Sequence, residues 1–186
     1  MFSAKTYAAR RNMLRTKIGS GIILLPGNSL SPNNYPNNAY YFRQDSSFRY
    51  YFGLNTPSLA GLIDADTGEE ALYGDDFTVE DIIWTGPQPT LRELGAEVGV
   101  TATFPMAELE KRLRKAVSLG RKIHYLPPYR GETKLQLSAL LGIKPELLHD
   151  YKSVELMFAV AEMREKKSAE EVEALSLIHI SEPTRP

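Results

Sequence analysis

"AYYFRQDSSFRYYFG", Ala39 to Gly53, carries seven aromatic side chains and two arginines in fifteen residues. That is more rings than one buried face requires, because only alternate residues of a strand, or one stripe of a helix, turn inward. The residue order divides the stretch in two. Tyr40 to Arg43 predicts a strand, and Asp45 or Ser46 predicts the cap of a short helix that Gly53 stops. Rings from both would pack alternately into a core. Arg43 and Arg49 stand among them, and guanidinium groups beside aromatic rings are an interface composition. RNA-recognition sheets also mix rings with cations. The basic-Gly-aromatic pattern of those modules is absent here, however, and a net charge of −1 gives no general pull on phosphate.

Upstream, Ser3 predicts the cap of a helix over about Ala4 to Lys17, with Tyr7, Leu14 and Ile18 on one face. The glycines of "IGSGI" lie between helix and strand rather than between strand and helix, so they read as a helix stop and not as a phosphate loop. "GIILLPG" then predicts a strand buried on both faces, and "NSLSPNNYPNN" a surface loop. Downstream, Leu59–Asp64 and Glu70–Tyr73 predict a hairpin around Asp66-Thr67-Gly68. Short helical turns are expected from Thr78 and from Thr90, with Asp81 and Glu93 in capping-box positions. "PMAELEKRLRKAVSLG" predicts a helix from Pro105 to Gly120 that turns Leu109, Leu113, Ala116 and Val117 inward. "RKIHYLPP" reads as a strand, "ETKLQLSALLG" as a helix and "SVELMFAVAEMREKK" as a closing amphipathic helix. Strands alternating with helices give an α/β class with a mixed sheet and flanking helices.

Composition narrows the chemistry. The chain has 186 residues, 42% apolar and 24% charged, which is the balance of a globular protein. It has no cysteine, which removes disulfides and thiolate chemistry and fits a reducing, cytoplasmic setting. No apolar run approaches the length of a bilayer span, so no membrane partner is expected. Asp64, Asp66, Asp75 and Asp76 stand at strand ends, where acids build turns. His124, His149 and His179 are isolated, without metal-ligand spacing, and His124 reads as a half-buried structural residue. No serine elbow or phosphate-binding loop is present. No metal ligand or catalytic set is legible.

The far end differs. "SAEE", Ser168 to Glu171, is a capping box opening a new helix. The helix is expected to be abandoned after about two turns, too short to stand alone. The residues after Ala174, "LSLIHISEPTR", correspond to the translation of a transposase-type sequencing adapter. Residues 175–186 are therefore expected to be a non-native tail on a truncated chain.

"YYFRQDSSFRYYFGL" resembles the signature of the N-terminal domain of the aminopeptidase P family, the creatinase/prolidase-like Xaa-Pro aminopeptidases. "GLIDADTGEEALYGDD" and "DIIWTGPQPT" fit the same domain, and "AEMREKKSAEEVEAL" is similar to the family's junction with its catalytic domain. The resemblance covers Met1 to Ala174 and is nearest to the longer bacterial cytosolic members. It implies a domain over residues 1–163, then a linker and the start of a catalytic "pita-bread" domain over 164–174. In the parent enzyme that catalytic domain would hold two divalent cations, usually Mn²⁺, whose bridging hydroxide attacks the peptide bond before proline. The five cation ligands would lie downstream of Ala174, so the fragment itself is expected to bind no metal and to be inactive. Implied partners are N-terminal Xaa-Pro peptides and further copies of the chain in a homo-oligomer. Arg43 and Arg49 are the implied substrate-binding residues, acting in trans on a partner subunit's cleft. Some relatives carry tryptophan where Arg49 stands, so Arg43 follows the motif more directly. Two other functions share the fold: a non-catalytic creatinase-like peptide-binding module, and a prolidase that cleaves Xaa-Pro dipeptides.

Overall fold

A computed structural model describes residues 2–35 and 38–181, with side chains through residue 176. The chain opens with α1 (Ala4–Ile18), whose first turn is capped by the Ser3 hydroxyl. Strand β1 (Ile22–Pro26) follows, then α2 (Ser46–Phe52) and the hairpin β2 (Ala60–Asp64) and β3 (Glu70–Tyr73). Helices α3 (Val79–Thr85) and α4 (Leu91–Glu97) precede β4 (Ala102–Phe104), and α5 (Met106–Ser118) precedes β5 (Ile123–His124). Helices α6 (Gly131–Leu141), α7 (Val154–Glu165) and α8 (Ala169–Ser181) complete the described chain.

The strands form one five-stranded sheet in the order β4-β3-β2-β1-β5. The β1–β2 and β2–β3 pairs are antiparallel, while β3–β4 and β1–β5 are parallel, so the sheet is mixed. Period-2 alternation sorts the side chains of the central strands to two faces. Ile23 and Leu25 of β1, with Ile63 and Leu72, meet α1, α2, α4 and α7; Ile22 and Leu24, with Leu62, Ala71 and Tyr73, meet α5 and α6. Burying each such aliphatic side chain contributes roughly 1.5–3 kcal/mol, which is why "GIILLPG" is apolar at consecutive positions.

Three expectations are corrected, and one element is new. Tyr40–Arg43 joins no ladder among the described residues; the bridge nearest to it, Pro32 with Ala39, lies just ahead of the segment. Val117 is 56% exposed, because α5 turns only Leu109, Leu113 and Ala116 to the sheet. The short parallel strand β4 was not foreseen, since three residues carry no readable period. Helix α8 runs on to Ser181 rather than ending near Ala174, since no proline interrupts it before Pro183. No described helix is long and apolar enough to cross a membrane.

Candidate functional site

The aromatic stretch is held at both ends by local chemistry. Asp45 caps α2, its carboxylate accepting from the backbone N–H groups of Ser47 and Phe48 at 2.9 and 2.8 Å. Gly53 closes the helix in the left-handed region at φ 70°. A Cβ at Gly53 would lie 2.3 Å from the Tyr7 ring, so glycine is required there twice over. Phe48, Tyr51 and Phe52 are fully buried, and the bare face of Gly61 in β2 makes room for the Phe52 ring. The stretch thus seats α2 between α1 and the sheet.

Ahead of the helix, Tyr40 and Tyr41 are both exposed, and burial alternates only from Tyr41 to Gln44. Phe42 is half-buried and Gln44 buried, while Tyr41 is 97% exposed and Arg43 exposed. Gln44 pins the backbone here. Its Oε1 accepts from Asn28 N–H at 2.6 Å and Asp45 N–H at 2.9 Å, and its Nε2 donates to Thr56 O at 2.8 Å. Asn28 returns the hold, donating from Nδ2 to Arg43 O at 2.9 Å. The Arg43 backbone is therefore fixed, while among the described residues its guanidinium makes no ion pair or hydrogen bond. Asp45 does not pair with it, because its carboxylate is engaged in the cap.

Arg49 lies elsewhere. It is exposed on α2 and lines a groove of about 760 Å³ with Phe2, Tyr7, Arg10, Tyr50 and Arg164, which does not include Arg43. The two arginines singled out from the sequence are not brought into one site.

The four aspartates considered as ligands, and His124, have structural partners. Asp64, 2% exposed, accepts two hydrogen bonds from Arg121 at 2.6 and 2.9 Å and two from the backbone of its own turn. Burial works to raise its pKa, but the Arg121 hydrogen bonds and those turn N–H groups hold it below the usual value. Asp66 pairs with Arg121 as well. Asp75 and Asp76 accept from the first N–H groups of α5 and α4. His124 is buried, with Nε2 at 3.1 Å from Ser20 O and Nδ1 at 2.7 Å from the Ser153 hydroxyl. A carbonyl can only accept, so Nε2 carries the proton and Ser153 donates to Nδ1. Burial, with the charge of Lys122, lowers its pKa. His149 is exposed, and His179 lies outside the residues whose side chains are described. Among the described residues no three His, Cys, Asp or Glu side chains gather to hold a metal ion.

Sequence reasoning missed two features. Arg10 and Arg11 are buried on the same stripe of α1 as Tyr7 and Leu14; the spacing 7, 10, 11, 14 was the available signal. Arg11 is fully buried and donates to Glu70, Tyr51 O and Val98 O at 2.7, 2.9 and 3.0 Å. Second, α3 buries no residue at all, and leaves Val79, Ile83 and Trp84 at 77%, 74% and 83% exposed. Its capping box, Thr78 with Asp81, sustains a helix in which no residue is fully buried.

The comparisons agree with this geometry. The sequence profile of the aminopeptidase P N-terminal domain matches residues 7–125. The fold is similar to the low-pH form of Escherichia coli aminopeptidase P (TM-score 0.73, 19% identity, covering 93% of this chain and 41% of that one). It is also similar to Pseudomonas aeruginosa aminopeptidase PepP (0.73, 20%, 92% and 40%) and to zinc-substituted E. coli aminopeptidase P in complex with product (0.74, 20%, 92% and 41%). The chain therefore spans about two fifths of the length of these enzymes. No curated protein matches it. With the profile covering well over half of the sequence, the chain belongs to the aminopeptidase P N-terminal domain family.

Proposed function

We propose that the chain is the non-catalytic N-terminal domain of a cytoplasmic Xaa-Pro aminopeptidase, whose complete form is a dinuclear-metal exopeptidase removing residues that precede proline. Family membership over residues 7–125 carries this reading. In it, residues 1–163 are the domain, 164–174 lead into the catalytic part, and 175–186 are adapter-derived. The described residues do not fit a two-cation centre. The pair of cations, manganese in this reading, is assigned to the rest of the parent, and no step of hydrolysis runs through this chain.

The domain's own contribution is to shape a neighbour's cleft. Arg43, fixed in its backbone and free at its guanidinium, is the group offered to a substrate carbonyl or carboxylate, with Arg49 second. The unburied apolar face of α3 supports a homo-oligomer, since it gains nothing unless another surface covers it. The test is to express the chain with its complete downstream reading frame and assay Xaa-Pro peptides with Mn²⁺. Metal-dependent release of the residue before proline is expected. Peptide binding without cleavage would point to a binding module, and cleavage confined to dipeptides to a prolidase; either result overturns the proposal.

A further inference from the structure

Helix α8 leaves the domain with almost no apolar support. Among its residues whose side chains are described, none is buried, and Val172 is 55% exposed. Open grooves of about 710 and 760 Å³ flank its first turn, and Arg10, Tyr50 and Glu171 line both. Polar contacts therefore decide how α8 is held.

Those contacts converge on one ring. Arg10 of α1 stacks with its Cζ 4.1 Å from the Tyr50 ring centre and 4.8 Å from that of Phe2. Arg164, in the last turn of α7, stands 5.8 Å from the same Tyr50 ring. The Tyr50 hydroxyl donates to Met163 O at 3.0 Å, tying α2 to the end of α7. Arg164 reaches the hydroxyls of Ser46 and Ser47 at 3.3 and 3.4 Å. Glu171 then joins α8 to the stack. Its Oε2 accepts from Ser168 N–H at 2.9 Å as a capping box, and its Oε1 lies 3.5 Å from Arg10 Nη2. Arg10 Nη1 donates to Tyr50 O at 3.0 Å, but Nη2 is the one buried side-chain nitrogen or oxygen among the described residues without a hydrogen bond. An unmet buried donor is costly, and Glu171 is the acceptor aimed at it. Thr6 adds a second tie from α1, donating to Glu170 at 2.9 Å.

We propose that Arg10, Tyr50, Arg164 and Glu171 form a clamp that fixes the direction in which α8 leaves the domain. All four precede Leu175, so the clamp does not depend on the adapter-like residues. On the reading that a catalytic part follows α8 in the parent, the clamp sets where that part stands. Its members are then positioning residues. A helix is a stiff rod of 1.5 Å rise per residue, so a small change of angle at its first turn grows along its length.

Glu171→Gln is the selective test. Glutamine keeps the capping-box bond to Ser168 but removes the charge facing Arg10. Hydrogen exchange of the chain should show α8 amides exchanging about tenfold faster in Glu171→Gln, as expected for one lost, largely buried ion pair, with β1–β3 amides and Tm unchanged. Arg10→Lys should behave alike, because an ammonium does not stack flat between rings. Equal α8 exchange in wild type and Glu171→Gln would overturn the clamp. So would a rise shared by the sheet, or full protection in Arg10→Lys. The measurement needs neither metal nor turnover, so an inactive parent would refute the proposed activity and leave this result standing.

Discussion

Arg43 and Gln44 are neighbours with opposite tasks, and paired substitutions should separate them. Gln44→Ala strands the buried Asn28 N–H and is expected to cost about 2 kcal/mol in urea unfolding. Arg43→Ala removes an exposed group without a partner among the described residues and should stay within about 0.5 kcal/mol. In the complete enzyme the same Arg43→Ala change should lower kcat/KM by about tenfold if the guanidinium meets substrate. Unchanged kcat/KM with lowered stability would make Arg43 structural. His124 supplies a pH dependence. Its folded pKa lies below the ordinary 6.5, mainly through burial, so between the two values the unfolded chain binds a proton that the folded chain does not. Its contribution to stability is complete above pH 6.5 and is lost as pH falls below it. Denaturation midpoints should therefore drop across that window in wild type and drop less in His124→Gln; a wild-type midpoint that rises as pH falls would refute the assignment.

Elements were legible where their signals are local. Asp45 and Gly53 bound α2 because a cap and a left-handed stop need only their own few residues, and the hairpin turn at Asp66-Thr67-Gly68 is equally self-contained. Tyr40–Arg43 shows the limit. Phe42 turns partly inward and Arg43 outward, but Tyr40 and Tyr41 are both exposed, so the expected alternation fails at Tyr40. A strand also needs a ladder partner, and the sequence does not say that none comes alongside. Buried Arg10 and Arg11 escaped because their acceptors, Tyr50 O, Tyr51 O, Glu70 and Val98 O, are distant in sequence. Helix α3 was read as a short turn, and its exposure depends on what fails to pack against it. Seven residues are too few for an isolated helix to be stable, so its apolar face is the natural place for an oligomer contact. Trp84→Glu should change Tm negligibly, because the side chain touches no core, yet shift sedimentation velocity toward smaller species. Identical sedimentation of both proteins across concentrations would remove α3 from the assembly.

At the scale of the whole molecule, both faces of the sheet are covered by helices, and each face carries its own buried apolar cluster. That is the condition for a domain to fold alone, and 186 residues are enough to bury such a core. The encoding DNA of residues 175–186 is expected to match the transposase adapter, and sequencing it checks this: bases that differ from the adapter would make that segment native. The isolated chain tests the division of labour between the domain and its parent. A cation raises stability only by binding the native state in preference to the unfolded one, and Asp64, Asp66, Asp75 and Asp76 are already committed to Arg121 or to helix N-termini. Thermal melts of the chain with and without micromolar Mn²⁺ should coincide, and an Xaa-Pro peptide should remain uncleaved in its presence. A manganese-dependent rise in Tm would reveal a cation site within the domain. Metal-dependent turnover by the pure chain would place the catalytic centre here, against the assignment of all hydrolysis to the remainder of the parent.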